Sequence, residues 1–198
     1  MKLEKTPIKD LFVLHRRIMK DSRGSFSRLF GEDDIAKAGR PTNIVHVNTS
    51  TSVEAGTLRG VHFQYPPFSE AKVVACTSGS IWDVGVDLRP DSPTRFQWFG
   101  EVLTPENGKS MIVPEGFGHA FITLEPNSTA VYAISAYYNI EHESGIRFDD
   151  PMLNINWPVE PKIVSEKDYE WGPLEDRIEE LNKNFTKIEK IKKFFVIK

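Results

Sequence analysis

Short β-type runs separated by turn signals constrain this chain more than any other feature. The runs fall at residues 43–49, 57–64, 72–76, 81–88, 95–103, 111–113, 120–124 and 130–138. Between them stand Ser78-Gly79, Pro90-Asp91-Ser92-Pro93, Asn107-Gly108 and Pro126-Asn127-Ser128, all of which favour tight reversals. Strands spaced in this way, with no helical period between them, read as a sandwich or a barrel. The expected fold is mostly β, a jelly-roll barrel. Helical spacing appears only near the C-terminus, where Leu174, Ile178, Leu181, Phe185, Ile188 and Ile191 recur on one face. Acidic Glu175, Asp176, Glu179 and Glu180 come early in that segment, and Lys190, Lys192 and Lys193 come late, which suits the helix dipole. The expectation is a barrel over residues 1–172 and a helical extension of the same domain over 173–198, packed on the barrel or on a second subunit.

The 198 residues fit one domain and leave little room for a second. A net charge of −3 gives no global positive field, so nucleic acid is not expected as a partner. The N-terminal Met1-Lys2-Leu3-Glu4-Lys5 lacks the apolar core of a signal peptide, and no run is long enough to span a bilayer. A cytoplasmic protein without a membrane partner is expected. Cys76, the one cysteine, lies in the apolar run Val73-Val74-Ala75-Cys76 and reads as a buried strand thiol.

The densest cluster of chemical groups is Leu58-Arg59-Gly60-Val61-His62-Phe63-Gln64. His62 can serve as a general base near neutrality. Strict alternation puts Arg59 and His62 on opposite faces, but a bulge at Gly60 would bring both to one pocket. His119 follows Pro114-Glu115-Gly116-Phe117-Gly118, a Pro-x-Gly-x-x-His pattern that resembles part of the cupin metal signature. Gln64 stands where a second histidine would complete a His-x-His pair, and two separated histidines are a poor ligand set, so no metal is expected. Tyr132 and Tyr138 share a strand face by alternation, and Lys72 shares one with Val74 and Cys76, where an ammonium needs an anionic neighbour. Asp168 closes Ser165-Glu166-Lys167-Asp168, which reads either as a capping box or as the acidic partner of a catalytic histidine.

Taken together, nine segments in order resemble the dTDP-4-dehydrorhamnose 3,5-epimerase family of cupin-fold enzymes. They are DSRGSF at 21–26, NTSTS at 48–52, LRGVHFQ at 58–64, DVGVDLR at 83–89, SPT at 92–94, PEGFGH at 114–119, GIRFDDP at 145–151, WP at 157–158 and SEKD at 165–168. The resemblance implies a nucleotide-diphosphate 4-keto sugar as substrate, inverted at C3, C5 or both, with no cofactor and a homodimeric assembly. It implies His62 as base, Asp168 as its partner, Tyr132 as acid and Lys72 near the C4 oxygen. His119 would line the pocket, Arg23 and Arg59 would bind the diphosphate, and Tyr138 would stack on the nucleotide base. Phe26, Arg28, His46, Asn48, Gln64 and Glu143 complete the implied substrate-binding set.

The chain departs from the family pattern near the nucleotide. Arg28 stands for a usual glutamate, His46 for a glutamine, Thr57 for an aliphatic residue and Ile140 for a proline. These changes open a GDP- or CDP-linked sugar as an alternative to the dTDP-sugar. A non-catalytic sugar-nucleotide-binding cupin is the competing class, but it has no need to keep His62, Asp168, Tyr132 and Lys72 together.

Overall fold

Alternation along the strands sorts the apolar side chains into one interior and two outer faces. The computed structural model describes residues 1–39 and 43–195, with side chains through Thr186 in the last helix. One antiparallel sheet has six strands in the order β1 (Lys2–Lys5), β2 (Phe12–His15), β10 (Lys109–Val113), β7 (Lys72–Ser78), β12 (Ser128–Ile134) and β5 (His46–Ser52). The other has five, in the order β13 (Glu143–Gly145), β6 (Leu58–Gln64), β11 (Phe117–Thr123), β8 (Ile81–Asp87) and β9 (Trp98–Leu103). The two sheets form the expected jelly-roll barrel.

Inward residues of both sheets make two clusters, one around Leu11, Val13, Met111, Val113 and Phe117, the other around Val74, Cys76, Ile81, Phe121 and Ala130. Residues one step along face outward. On the six-stranded sheet, Leu14, Val73, Ile112 and Ala133 are covered by Ile35 and Ala38 of α1 (Glu32–Lys37) and its C-terminal end. On the five-stranded sheet, Leu58, Val61, Phe63, Val84, Val86 and Ile122 are covered by Phe148, Leu153 and Ile155. Leu174, Leu181 and Phe185 of α3 (Leu174–Phe195) join that cover, so the C-terminal helix packs on its own barrel. The side chains of Ile188, Lys190, Ile191, Lys192 and Lys193 lie outside the described residues.

All the strands expected from the apolar runs are present, some trimmed and others shifted or extended by two or three residues at their ends. The N-terminal strands β1 and β2, the hairpin β3 (Ile18–Asp21) and β4 (Gly24–Ser27), and β13 were not expected. Each is four residues or fewer, too short for alternation to register. Helix is not confined to the C-terminus either, since α1 and α2 (Glu166–Tyr169) precede α3. Cys76 is buried and free, as its apolar run implied. No described helix is long and apolar enough to cross a membrane.

Candidate active site

A register shift sets the geometry of the barrel's main cavity. Phe121 pairs with Arg59 and His119 with His62, so two steps along β11 match three along β6. The extra residue is the bulge suggested by Gly60, whose φ is +121°. Glycine is required there for space as well, since a Cβ would lie 2.4 Å from that of Ala120. Leu58 and Val61 therefore both face the outer core, while Arg59 and His62 both line the cavity.

That cavity encloses about 380 Å³ between the two sheets. Arg59, His62 and His119 enter from the five-stranded sheet, Lys72, Tyr132 and Ser50 from the six-stranded sheet, and Asp168 from α2. His62 Nε2 lies 2.5 Å from Asp168 Oδ1, with 33% of the histidine side chain exposed but only 2% of the aspartate. Burial pushes the Asp168 carboxyl up, but hydrogen bonding and charge from His62 outweigh it, helped by bonds from Ser165 and the Gly60 amide. The net effect holds it below its ordinary value. One imidazole nitrogen is thus engaged by a buried carboxylate, which leaves the other to exchange a proton in the cavity. Ser165 stands at the N-cap of α2 but makes no side-chain cap bond. The capping-box reading of this segment is therefore set aside: the carboxylate is turned to His62, where a buried charge finds its partner.

Lys72, half-buried at the start of β7, has the anion its position demands. Its Nζ lies 3.1 Å from Glu70 Oε1. His119 Nε2 lies 2.7 Å from Oδ1 of the fully buried Asp83, whose Oδ2 has no partner among the described residues. Asp83 was not expected as part of the site. Its signal was available, since an acid in the run Ile81-Trp82-Asp83-Val84 must meet a partner if the strand is buried on both faces. Ser50 was missed too, although it shares a face with Asn48 two residues earlier.

The remaining expected residues lie around this centre or away from it. Gln64 is buried, and its amide is fully used within the protein. It donates to Phe68 O, Tyr137 O and Glu70 Oε2, and accepts from the Asn139 amide. Glu143 bridges two groups, taking a bond of 2.7 Å from the Tyr138 hydroxyl and an ion pair of 2.6 Å with Lys167. Lys167, next to Asp168 in sequence, was another residue not foreseen. Tyr138 does not share a strand face with Tyr132, because β12 ends at Ile134 and the chain then bends away. Asn48 pairs with Tyr132 across β5 and β12. His46 is exposed, edge-on to Tyr137 at 5.3 Å. Arg23 and Phe26 line a separate groove on the β3–β4 hairpin, with Arg23 paired to Asp21 at 2.6 Å. Arg28, just beyond that hairpin, is exposed. Among the described residues no three His, Cys, Asp or Glu side chains cluster as a metal site.

A histidine engaged by a buried aspartate and facing a phenol and a lysine suits proton transfer at carbon next to a carbonyl. The family model described as dTDP-4-dehydrorhamnose 3,5-epimerase matches residues 5–176. The enzyme of that name from Sinorhizobium fredii is 40% identical over 169 residues, 85% of this chain and 87% of that protein. The Legionella pneumophila 3,5-epimerase, solved in complex with dTDP-4-keto-L-rhamnose, superposes with a TM-score of 0.85 at 34% identity, covering 91% of this chain and 96% of that one. A 3'-monoepimerase from Streptomyces bikiniensis, solved with dTDP-quinovose, gives a TM-score of 0.81 at 28% identity, covering 92% and 99%. With a matched family model spanning most of its length and a 40% identical relative, the chain belongs to the dTDP-4-dehydrorhamnose 3,5-epimerase family.

Proposed function

We propose that the protein inverts C3 and C5 of a dTDP-linked 4-keto-6-deoxy sugar, turning dTDP-4-dehydro-6-deoxy-D-glucose into dTDP-4-dehydro-L-rhamnose. The observation that carries this reading is that His62 and Tyr132 project into one cavity from opposite sheets. The C4 ketone acidifies the hydrogens on C3 and C5, since either carbanion delocalises onto the carbonyl oxygen. His62 takes the proton from one face of the sugar, and its imidazolium is stabilised by Asp168. The electron pair moves to the C4 oxygen, where Lys72 is the donor that meets the developing charge; such a donor is worth about 3–4 kcal/mol. Tyr132 gives a proton to the same carbon from the other face, which inverts it. Solvent then reprotonates the phenolate and deprotonates His62. Arg59, exposed at the cavity mouth, is placed to take the diphosphate.

Two measurements test this reading. Tyr132→Phe keeps the ring and loses the proton, so the enolate still forms but is not quenched from the far side. Solvent deuterium should then enter C3 and C5 much faster than net inversion proceeds. If exchange and inversion fall together to the level of a His62 variant, Tyr132 is not the acid. For the nucleotide, calorimetric competition among dTDP, GDP and CDP should give dTDP the tightest binding, in keeping with the dTDP ligands of the Legionella and Streptomyces proteins. Clearly tighter GDP or CDP would overturn the thymidine assignment and turn attention to Arg28 and His46, which reverse the hydrogen-bond demand of a glutamate and a glutamine.

The same reading takes the chain as a cytoplasmic homodimer. The dimer is supported by the exposed apolar surface of Val47 on the edge strand β5, of Val53 just beyond its end, and of Met19 and Phe26 on the hairpin.

A further inference from the structure

Strand β13 is three residues long and lies at a sheet edge, yet it pairs directly with the strand that carries His62. Glu143, Ser144 and Gly145 oppose Gln64, Phe63 and His62. Val61 and Ile146 exchange both backbone bonds, so Gly145, one step along, occupies a non-hydrogen-bonded position. Its carbonyl therefore points away from β6, where a short edge strand has nothing of its own sheet to hold it.

Arg177 takes that carbonyl. Its Nη1 donates to Gly145 O at 2.5 Å and its Nη2 to Ser144 Oγ at 2.7 Å. Its Nε donates to Glu180 Oε2 at 3.1 Å, and Glu180 Oε1 accepts the Tyr65 hydroxyl at 2.9 Å. Burial and that carboxylate push the Tyr65 phenol up to about 12, so it stays a donor. Trp171 fills the place of a side chain at position 145, where a Cβ would lie 2.4 Å from the indole. Phe185 completes the grip, with its ring 5.8 Å from that of Phe63 and 5.4 Å from that of Tyr65. The helix thus grips the chain just after His62, at Phe63 and Tyr65, and the edge strand that lies opposite it. Arg177 is also the first residue beyond the family match, which ends at 176.

We infer that α3, acting through Arg177, is a positioning element for the catalytic base: it locks the edge strand β13 and with it the backbone from which the His62 imidazole projects. This rests on His62 being the base. A helix that merely stabilised the barrel would change the melting temperature and leave turnover per folded molecule alone.

The test measures kcat, KM, solvent-deuterium exchange and thermal midpoint for Arg177→Gln, Arg177→Lys, Ser144→Ala and His62→Asn. A displacement of the reacting group near 1 Å can cost on the order of 100-fold. Arg177→Gln should accordingly lower kcat by about tenfold to 100-fold with KM within about twofold. Arg177→Lys, which can still donate to Gly145 O, should recover most of kcat. Ser144→Ala removes one of the two bonds without touching the helix and should give a smaller fall in the same direction, which keeps the test open if the glutamine variant does not fold. Wild-type kcat in folded Arg177→Gln and in Ser144→Ala would overturn the inference while leaving the base assignment standing, provided that His62→Asn is inactive. Exchange retained in His62→Asn would overturn the base assignment, and the positioning role with it.

Discussion

His62→Asn is expected to abolish solvent-deuterium incorporation at both C3 and C5 while leaving the fold intact. One face of the sugar needs one base, and of the two imidazoles in the cavity His62 is the more accessible, with 33% of its side chain exposed against 8% for His119. Asparagine fills part of the same space, but its amide stops short of the Nε2 position that Asp168 holds, and it cannot take up a proton near neutrality. General acid–base catalysis contributes about 10²–10⁴-fold, and at least that much should be lost at each carbon. Mass spectrometry of the sugar after incubation in heavy water reads both positions, and circular dichroism checks the fold. Near-normal exchange at either carbon would remove His62 from that half of the reaction. His119 would then be the next candidate, since it faces the same cavity with its own buried aspartate.

The second large effect is expected from Asp168→Asn. The substitution keeps the shape and removes the charge that stabilises the imidazolium once His62 has taken the substrate proton. It also offers an amide N–H where the imidazole N–H needs an acceptor, which favours the wrong tautomer. A loss on the order of 10²–10⁴-fold in kcat should follow. The same carboxylate leaves a trace in stability. Its pKa in the folded protein lies below the ordinary value of 3.8. Its contribution is therefore complete above that ordinary value and disappears as pH falls through the lowered folded value. Denaturant midpoints of the native protein and the variant should differ at pH 7 and converge in strong acid. A kcat within a few-fold of the native protein would show that Asp168 is a structural partner of His62 and not part of proton transfer.

The barrel was legible because its signal is local. A near-continuous apolar run such as Ile81–Asp87 reports a strand buried on both faces, and Ser78-Gly79 reports the reversal before it. Strands β1 to β4 were not legible for the same reason: four residues hold two alternations at most. The site was partly legible. Gly60 announced a bulge and Lys72 demanded an anion, and both demands are met by backbone and side-chain geometry. Partners on distant strands escaped, because nothing near His119 in sequence names Asp83, which is 36 residues away. The reach of Arg177 to Gly145, across 32 residues, escaped likewise. Helical periodicity says which face of α3 is buried but not which carbonyl its guanidinium meets. Tyr138 was misplaced because alternation was carried four residues past the true end of β12 at Ile134.

The bulge in β6 couples two things that could otherwise drift apart. The Gly60 amide is turned onto the Asp168 carboxylate, and His62, two residues later, grips the same carboxylate with its side chain. Both jaws of the clamp belong to one short stretch of backbone. The His62–Asp168 contact is thus held at two neighbouring points of one strand, whereas the spacing of His62 and Tyr132 is set by the packing of one sheet on the other.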